Sequence, residues 1–279
     1  MKLLIVDGSN LLFQMFFGMP SRIIGKDGRA IQGTLGFIGA LIKIIKMVEP
    51  THIAVLFDGE HDNPRAELSA EYKANRQNFT DVPDEGNPFS QLPDIYTALD
   101  CMNIPHKEIA DDEANDAVAS YAYTYGNDSQ IVIASFDSDF FQLINENVTI
   151  LRYRGDKTYL CDDAFIQDKF VILPAQYADF KALTGDSSDN IKGADKIGPK
   201  TAAALLRQFG SLQAIIEKVD KIEKSSIRES VKQYTERLQN NFRLIKLDNR
   251  AAIPFALDEL EYIYNGVTTN GVLERIGLR

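Results

Sequence analysis

The sequence has few of the residues that mark metal-thiolate sites, disulfide scaffolds or membrane spans. Its two cysteines, Cys101 and Cys161, lie far apart and match no metal-ligand spacing. We expect both to be reduced thiols in the core of a cytosolic protein. No apolar run approaches the roughly 18 residues of a transmembrane helix. Asp7 interrupts the apolar start of the chain, which argues against a signal peptide. We therefore expect no membrane partner.

Length and composition indicate an ordinary globular protein with unevenly distributed charge. The 279 residues suffice for one large domain or two modest ones, and 44% of them are hydrophobic. The formal net charge of −10 argues against a non-specific polyanion binder. Between residues 192 and 250, however, thirteen Lys and Arg stand against seven Asp and Glu. This asymmetry is typical of a nucleic-acid-binding surface beside a carboxylate-rich metal site. Solvated helix faces would give the same composition.

Three short apolar runs end in aspartate. They are LLIVD, HIAVLFD and IVIASFD, which end at Asp7, Asp58 and Asp137. Their length and their Val, Ile and Phe content predict strands buried on both faces. Helical patterns lie between and around them, at residues 34–48, 92–102 and 113–125. Alternating strands and helices predict a mostly parallel sheet whose carboxyl ends share one edge, so the three aspartates should converge there.

The remaining organisation is less regular. Residues 60–87 are polar and too long for an ordinary connection, which predicts a functional flap or a partly disordered loop. After Lys157 the pattern is wholly helical. There is no internal repeat, low-complexity tract or clean linker, so we expect the second half to pack on the sheet.

Further carboxylates occur in closely spaced pairs. The pairs are Asp137 and Asp139, Asp186 and Asp189, and Glu113 and Asp116. A spacing of three places two side chains on one side of a helical turn, and each pair alone is also typical of a cap or turn. Together with Asp7 and Asp58, these groups could not all stay ionised at close range without cations. Oxygen ligands without His or Cys predict Mg²⁺ or Mn²⁺, and two such ions hydrolyse phosphodiesters.

Five segments resemble, in order, the motifs of the 5′-nuclease or flap endonuclease family, which includes the N-terminal domain of bacterial DNA polymerase I and stand-alone relatives. They are LLIVDGSNLLF, VLFDG…R…YKANR, ADDEANDAVASYA, SFDSDFFQL and LTGDSSDNIKGADKIGPKTAAALL. The similarity covers nearly the whole chain. It implies an α/β fold with a mostly parallel, twisted, PIN-like sheet and a helical C-terminal part. The implied domains are residues 1–170, with an arch near 60–90, and 171–279, with a helix-hairpin-helix near 185–210.

The resemblance also implies roles for the acidic positions. A first metal ion would be served by Asp7, Asp58 and Glu113, and a second by Asp137, Asp139 and Asp189, with Asp186 and the catalytic candidate Asp116 nearby. Asn115 stands where the family's EADD pattern has an aspartate that bridges both ions. A neutral amide cannot bridge two cations as a carboxylate does, so at least one ion should bind more weakly. Three explanations of Asn115 stay open. The chain could be a naturally attenuated paralogue, the asparagine could be an engineered substitution, or Asp111 or Asp112 could compensate for it.

A hairpin at residues 193–198 is the implied duplex-binding element, and in the family it often holds a monovalent cation such as K⁺ through its carbonyls. Pro199 suits the first position of the following helix, whose free N–H groups can receive phosphates. The candidate DNA contacts here are Lys192, Gly193, Lys196, Gly198 and Lys200. The family hairpin usually ends Gly-Ile-Gly, and Lys196 replaces the first of these glycines.

The YKANR segment resembles the base of the family's arch. Lys73 and Arg76 would face the scissile phosphate, and Tyr72 and Phe79 would stack bases. The alternative is an ordinary amphipathic helix with solvated charges. Ser9 and Asn10 would present polar groups to the substrate or cap the helix that follows the first strand.

These observations predict a structure-selective 5′ nuclease, a 5′–3′ exonuclease or flap endonuclease. It would be a monomer acting on branched or 5′-flap DNA in replication or repair, in the bacterial cytosol or nucleoid. The first alternative is a branched-DNA-binding protein with little or no catalysis. A small-molecule phosphatase is disfavoured because Phe141 stands where its D-x-D loop needs Thr or Val. An RNA nuclease is disfavoured by the duplex-binding hairpin.

Overall fold

A twisted, mostly parallel sheet forms the centre of the molecule. This computed structural model describes residues 1–19, 21–59, 65, 69, 71–75, 77–79, 81–110 and 113–279. The strands of the sheet are β1 (Lys2–Asp7), β2 (His52–Asp58), β3 (His106–Ile109), β4 (Gln130–Ala134), β5 (Val148–Arg152) and β6 (Tyr159–Cys161). Their order is β3-β2-β1-β4-β5-β6, and β6 alone among them runs antiparallel to its neighbour.

Helices cover both faces of the sheet, which explains why the strands are continuous apolar runs. In β1, Leu3 and Ile5 enter one hydrophobic core, while Leu4 and Val6 enter the other. The second core is built with α1 (Gly8–Gly18), α2 (Gln32–Val48), α3 (Leu92–Cys101) and α10 (Thr269–Arg275). The first is built with α4 (Ala114–Tyr125), α5 (Asp163–Phe170), α6 (Tyr177–Thr184), α7 (Pro199–Phe209), α8 (Leu212–Glu217) and α9 (Ser225–Ile245).

The predicted parallel sheet and its first helices are confirmed. The second half also packs on the sheet, because Ile133 of β4 and Leu206 of α7 belong to one continuous core. In the described part of the chain, no helix is both long and apolar enough to span a bilayer.

Two details of the sequence interpretation are wrong. The chain after Lys157 is not wholly helical, because β6 closes one edge of the sheet and a small antiparallel ribbon joins β7 (Gly185–Asp186) to β8 (Ile191–Lys192). Strands of two or three residues are too short to show an alternating pattern. In addition, β4 ends at Ala134, so Asp137 lies beyond the strand and not at its last position.

The hairpin at residues 193–198 leads into α7, which begins at Pro199 as predicted. Ala194 and Ile197 are buried and fix the hairpin to the core. Lys196 has a φ of 66°, in the left-handed region that favours glycine. The lysine therefore keeps the backbone shape that the family's glycine would allow, at the usual cost of a side chain in that region.

We predict losses of stability of different size for alanine substitutions at the two glycines that end this hairpin. A Cβ at Gly193 would lie 2.5 Å from the Leu183 carbonyl oxygen, whereas a Cβ at Gly198 would meet nothing within 4 Å. Gly193→Ala should therefore lower the free energy of unfolding by about 1–3 kcal/mol, and Gly198→Ala by about 0.5 kcal/mol or less. Urea denaturation followed by circular dichroism measures both. Equal losses would show that close backbone packing is not the constraint at Gly193.

Candidate active site

Acidic side chains from neighbouring strands meet at the carboxyl edge of the sheet, as predicted. Asp7 and Asp58 are the last residues of β1 and β2, and Asp137 lies just past β4. With Glu113 and Asn115 at the start of α4, they line a cavity of about 640 Å³. We call this cavity the carboxylate cleft. Its position follows from the topology, because parallel strands deliver their C-terminal residues to one edge.

A second acidic group adjoins the cleft. Asp139, Asp186 and Asp189 each place a carboxylate oxygen within 4.8 Å of the others. We call this group the carboxylate triad. Asp186 ends β7 and Asp189 lies in the turn before β8, so the predicted helical turn is wrong here. A tight ribbon turn brings the two carboxylates together instead.

Lys181 is the buried counter-charge of the triad, and the sequence interpretation missed it. Its ammonium group contacts Asp139 and Asp186, and its side chain is only 8% exposed. Burial alone would lower the pKa of Lys181, but the two carboxylates raise it, so the lysine stays charged. The signal available in the sequence was a lone lysine inside the apolar helix α6, where a charge needs a partner.

Two further cations hold Glu113. Arg65 contacts one carboxylate oxygen of Glu113, and Lys73 Nζ lies 2.6 Å from the other. Arg65 also contacts Asp116 at 2.8 Å, and all four side chains are less than 20% exposed. Burial would lower the pKa of Arg65, but Glu113 and Asp116 raise it. Arg65 is the arginine of the quoted motif VLFDG…R…YKANR, but it was given no role, because nothing in its sequence neighbourhood identifies these distant partners.

Asp116 is not one of the three carboxylates of the triad. Its carboxylate accepts hydrogen bonds from Arg65 and from the backbone N–H of Asp248 at 2.8 Å. It lines a separate cavity of about 560 Å³ together with Glu113. Glu113 is the N-cap of α4 and Asp116 lies in its first turn, and the two carboxylates face the same side, since Arg65 contacts both. The catalytic role of Asp116 stays a prediction.

Asn115 is paired with a carboxylate of the cleft. Its Nδ2 donates a hydrogen bond of 2.9 Å to Asp137 Oδ2. The amide therefore stabilises the Asp137 charge directly and leaves its own single oxygen as an acceptor. A carboxylate at position 115 would instead face Asp137 with the same charge and would need a cation between them. Asp111 and Asp112, named as compensating ligands, lie outside the described residues.

Two hydrogen bonds fix the position of the Asp7 carboxylate, and its surroundings raise its pKa. Its Oδ1 accepts from the Asn10 N–H and caps α1, and its Oδ2 accepts from Ser135 Oγ at 2.7 Å. Burial, with help from the neighbouring Asp58 charge, raises the pKa of Asp7 to about 7. Because Asp7 caps the helix, Ser9 and Asn10 do not: Ser9 Oγ accepts from the Asp58 N–H.

The other DNA-contact candidates differ in accessibility. Lys192, Lys196 and Lys200 are exposed. Tyr72 and Phe79 are 7% and 8% exposed, so neither ring has an open face for a base in this structure. Phe79 packs edge-on against Phe13 and Phe89. Base stacking therefore stays a prediction, and Arg76 lies outside the described residues.

The donor set fits hard divalent cations. The cleft and the triad offer carboxylate and amide oxygens, which Mg²⁺ and Mn²⁺ prefer. The triad oxygens converge closely enough to share one ion.

Comparison with known families matches both halves of the chain. Residues 2–171 match a model described as the 5′–3′ exonuclease N-terminal resolvase-like domain, and residues 172–265 match the 5′–3′ exonuclease C-terminal SAM fold. DNA polymerase I of Streptococcus pneumoniae is 34% identical over 270 residues, covering 94% of this chain and 30% of that protein. DNA polymerase I of Bacillus subtilis is 30% identical, covering 99% of this chain and 32% of that protein. The chain thus spans under a third of these relatives.

Solved structures share the fold. The T5 D15 protein co-crystallised with metal ions has a TM-score of 0.73 at 22% identity, covering 99% of this chain and 97% of that chain. The catalytic core of Rad2 in complex with DNA substrate has a TM-score of 0.58 at 15% identity, covering 99% and 92%. The α/β fold with a mostly parallel sheet and a helical C-terminal part is confirmed.

The pKa of Asp7 predicts a pH effect on stability in EDTA. Asp7 binds its proton more tightly when folded than when unfolded, so its contribution is fully present below about pH 4 and is lost as pH rises to about 7. Asp7→Asn keeps an acceptor for the Asn10 N–H but does not titrate. The stability of the parent relative to this variant should fall by up to about 1.4 kcal/mol per pH unit between pH 5 and 7. Urea denaturation at several pH values measures the difference, and a pH-independent difference would contradict the assignment.

Proposed function

Because the chain belongs to the 5′–3′ exonuclease family, we propose that it is a structure-selective 5′ nuclease. It would hydrolyse DNA phosphodiesters at junctions between single-stranded and duplex DNA. The observation that carries this proposal is the meeting of the carboxylate cleft and the carboxylate triad at one edge of the sheet, close to an exposed basic hairpin. Such a site would recognise the backbone and the shape of the DNA.

The proposed ions are Mg²⁺ or Mn²⁺. Asp7, Asp58 and Glu113 would hold one, and the triad with Asp137 would hold the other. When bound, such ions stabilise charge on the phosphate and lower the pKa of water. Lys73 lines the cleft, where its ammonium group contacts Glu113, and it would donate to a phosphate oxygen of bound DNA.

The proposed partner is branched or 5′-flap DNA, bound by a monomer during replication or repair. Among proteins of this fold, a T5 D15 flap endonuclease was crystallised with DNA and metal ions, and Rad2 with DNA substrate. The exposed lysines of the hairpin region would contact phosphates. A potassium ion at the hairpin is less well supported, because the carbonyls of Lys192, Gly193 and Asp195 already accept hydrogen bonds from α9.

A second candidate is a DNA-junction binder with little turnover. The hydrogen bond from Asn115 to Asp137 favours it, because the pairing satisfies the cleft without an ion between these two side chains. This candidate would bind DNA through the same surface as the nuclease and would differ from it only in the rate of cleavage.

We predict that Asn115→Asp cleaves an end-labelled 5′-flap duplex at least about tenfold faster than the parent at low Mg²⁺, because it restores a charge between two ion sites. Asn127→Asp, an exposed substitution of the same kind in the loop before β4, is the matched control and should match the parent. Denaturing gels over a Mg²⁺ and Mn²⁺ titration measure the rates.

Other outcomes of this assay decide between the candidates. A parent that cleaves as fast as Asn115→Asp would show that another ligand compensates. Flap binding in Ca²⁺ without cleavage by either protein would favour the junction binder.

A further inference from the structure

Helix α9 contacts the hairpin through one regular row of polar side chains. The row is Ser230, Tyr234, Arg237 and Asn241. Their spacing of four, three and four residues places them on a single face of the helix. We call this row the α9 ladder.

Each member of the α9 ladder donates to the hairpin or to its flanks. Ser230 Oγ donates to the Asp195 carbonyl, and the Tyr234 hydroxyl donates to Asp195 Oδ2 at 2.6 Å. Arg237 reaches the Gly193 carbonyl at 3.4 Å. Asn241 is buried, and its Nδ2 donates to the carbonyls of Lys192 and Ala182 at 2.8 and 3.0 Å. One helix thus holds the first half of the hairpin, at Gly193 and Asp195, and the strand residue before it, Lys192.

The C-terminal end of the same helix is held to the triad. Gln142 is buried, and its Nε2 donates to the carbonyls of Asp139 and Ile245, both at 3.0 Å. Its Oε1 accepts from the Leu247 N–H at 3.1 Å. Gln142 therefore joins the turn that carries Asp139 to the end of α9, through three hydrogen bonds of one side chain.

We infer that α9 is a strut that sets the distance between the DNA-binding hairpin and the turn that carries Asp139, with Asn241 and Gln142 as its positioning residues. This inference rests on the proposed function. A rigid helix rises about 1.5 Å per residue, so a slip of one turn moves the hairpin by about 5.4 Å. That displacement exceeds the axial step of about 3.4 Å between base pairs. The strut therefore determines which phosphodiester reaches the cleft.

Two substitutions loosen the strut without altering a candidate ligand or DNA contact. Asn241→Asp replaces the two hydrogen bonds that Asn241 donates by repulsion between a carboxylate and two carbonyls. Gln142→Glu has the same effect at the C-terminal end of α9, and it keeps a side-chain oxygen that accepts from the Leu247 N–H. Asn240→Asp is the matched control, since no hydrogen bond of the Asn240 side chain is found among the described residues. Thermal melting identifies any variant that fails to fold. Tyr234→Phe is a milder substitution, because it removes only one half-exposed hydroxyl.

The readout is the position of the cut along a labelled 5′-flap duplex. Hydrolysis in Mg²⁺ reports it directly. Fe²⁺ in place of Mg²⁺, with added hydrogen peroxide and ascorbate to generate hydroxyl radicals, maps the same position without hydrolysis. We expect cutting by the two strut variants to spread to neighbouring phosphodiesters, and the rate at the parent position to fall about tenfold to a hundredfold, as for a misplaced reacting group. The Asn240→Asp control should keep the parent pattern.

The outcomes separate this inference from the proposed function. Folded strut variants that cut at the parent position would overturn the strut, even if their DNA affinity fell, and would leave the nuclease proposal intact. A parent that binds no flap DNA would overturn both.

Discussion

Repulsion between carboxylates is the constraint on which this structure depends. The topology of the sheet delivers Asp7, Asp58 and Asp137 to one edge, and the ribbon turn brings Asp186 and Asp189 to Asp139 beside them. Partial burial strengthens the repulsion, because the effective dielectric constant there is lower than in water. At Asp7, burial is the larger cause of the raised pKa, and the neighbouring charge of Asp58 adds to it.

Internal cations offset part of this charge and tie distant segments to the site. Lys181 comes from α6, while Arg65 and Lys73 come from the polar segment between β2 and α3. Removing one partner of a buried ion pair typically costs about 3–5 kcal/mol, because the other charge is left uncompensated. The same contacts that neutralise the carboxylates therefore also hold these segments on the sheet. Glu113 already accepts from two cations, which leaves it fewer lone pairs for a metal ion.

Hydrogen bonds connect the helical second half of the chain to the site. Gln142 fixes α9 to the turn that begins at Asp139, and the α9 ladder fixes the hairpin. None of these contacts uses the side chain of a candidate metal ligand. The hydrogen bonds that join the two halves are thus separate from the ion pairs of the site.

The sheet and the cleft were predictable because they depend on local pattern. Apolar runs that end in aspartate, such as LLIVD, predict buried parallel strands whose ends share an edge. The family resemblance predicted the helical part and the hairpin, including the start of α7 at Pro199. The strands β6, β7 and β8 were not predictable, because each is too short for a periodic signal.

The partners of Arg65, Lys181 and Gln142 were also beyond sequence reasoning. Each is set by contacts between residues far apart in the chain, and nothing in the local pattern selects them. Glu113 and Asp116 face the same side, as their spacing of three residues predicted, because one guanidinium, that of Arg65, contacts both carboxylates. The role of Asp116 near a second ion came from the family resemblance and stays a prediction.

The most direct test of this account is a count of bound Mn²⁺ by electron paramagnetic resonance at neutral pH, without DNA. Converging carboxylates at the triad and a neutral amide at position 115 predict two unequal sites, with the weaker at least about tenfold lower in affinity. Loss of the tighter site in Asp189→Asn would assign it to the triad. Two sites of equal affinity, or no binding at millimolar Mn²⁺, would contradict the account.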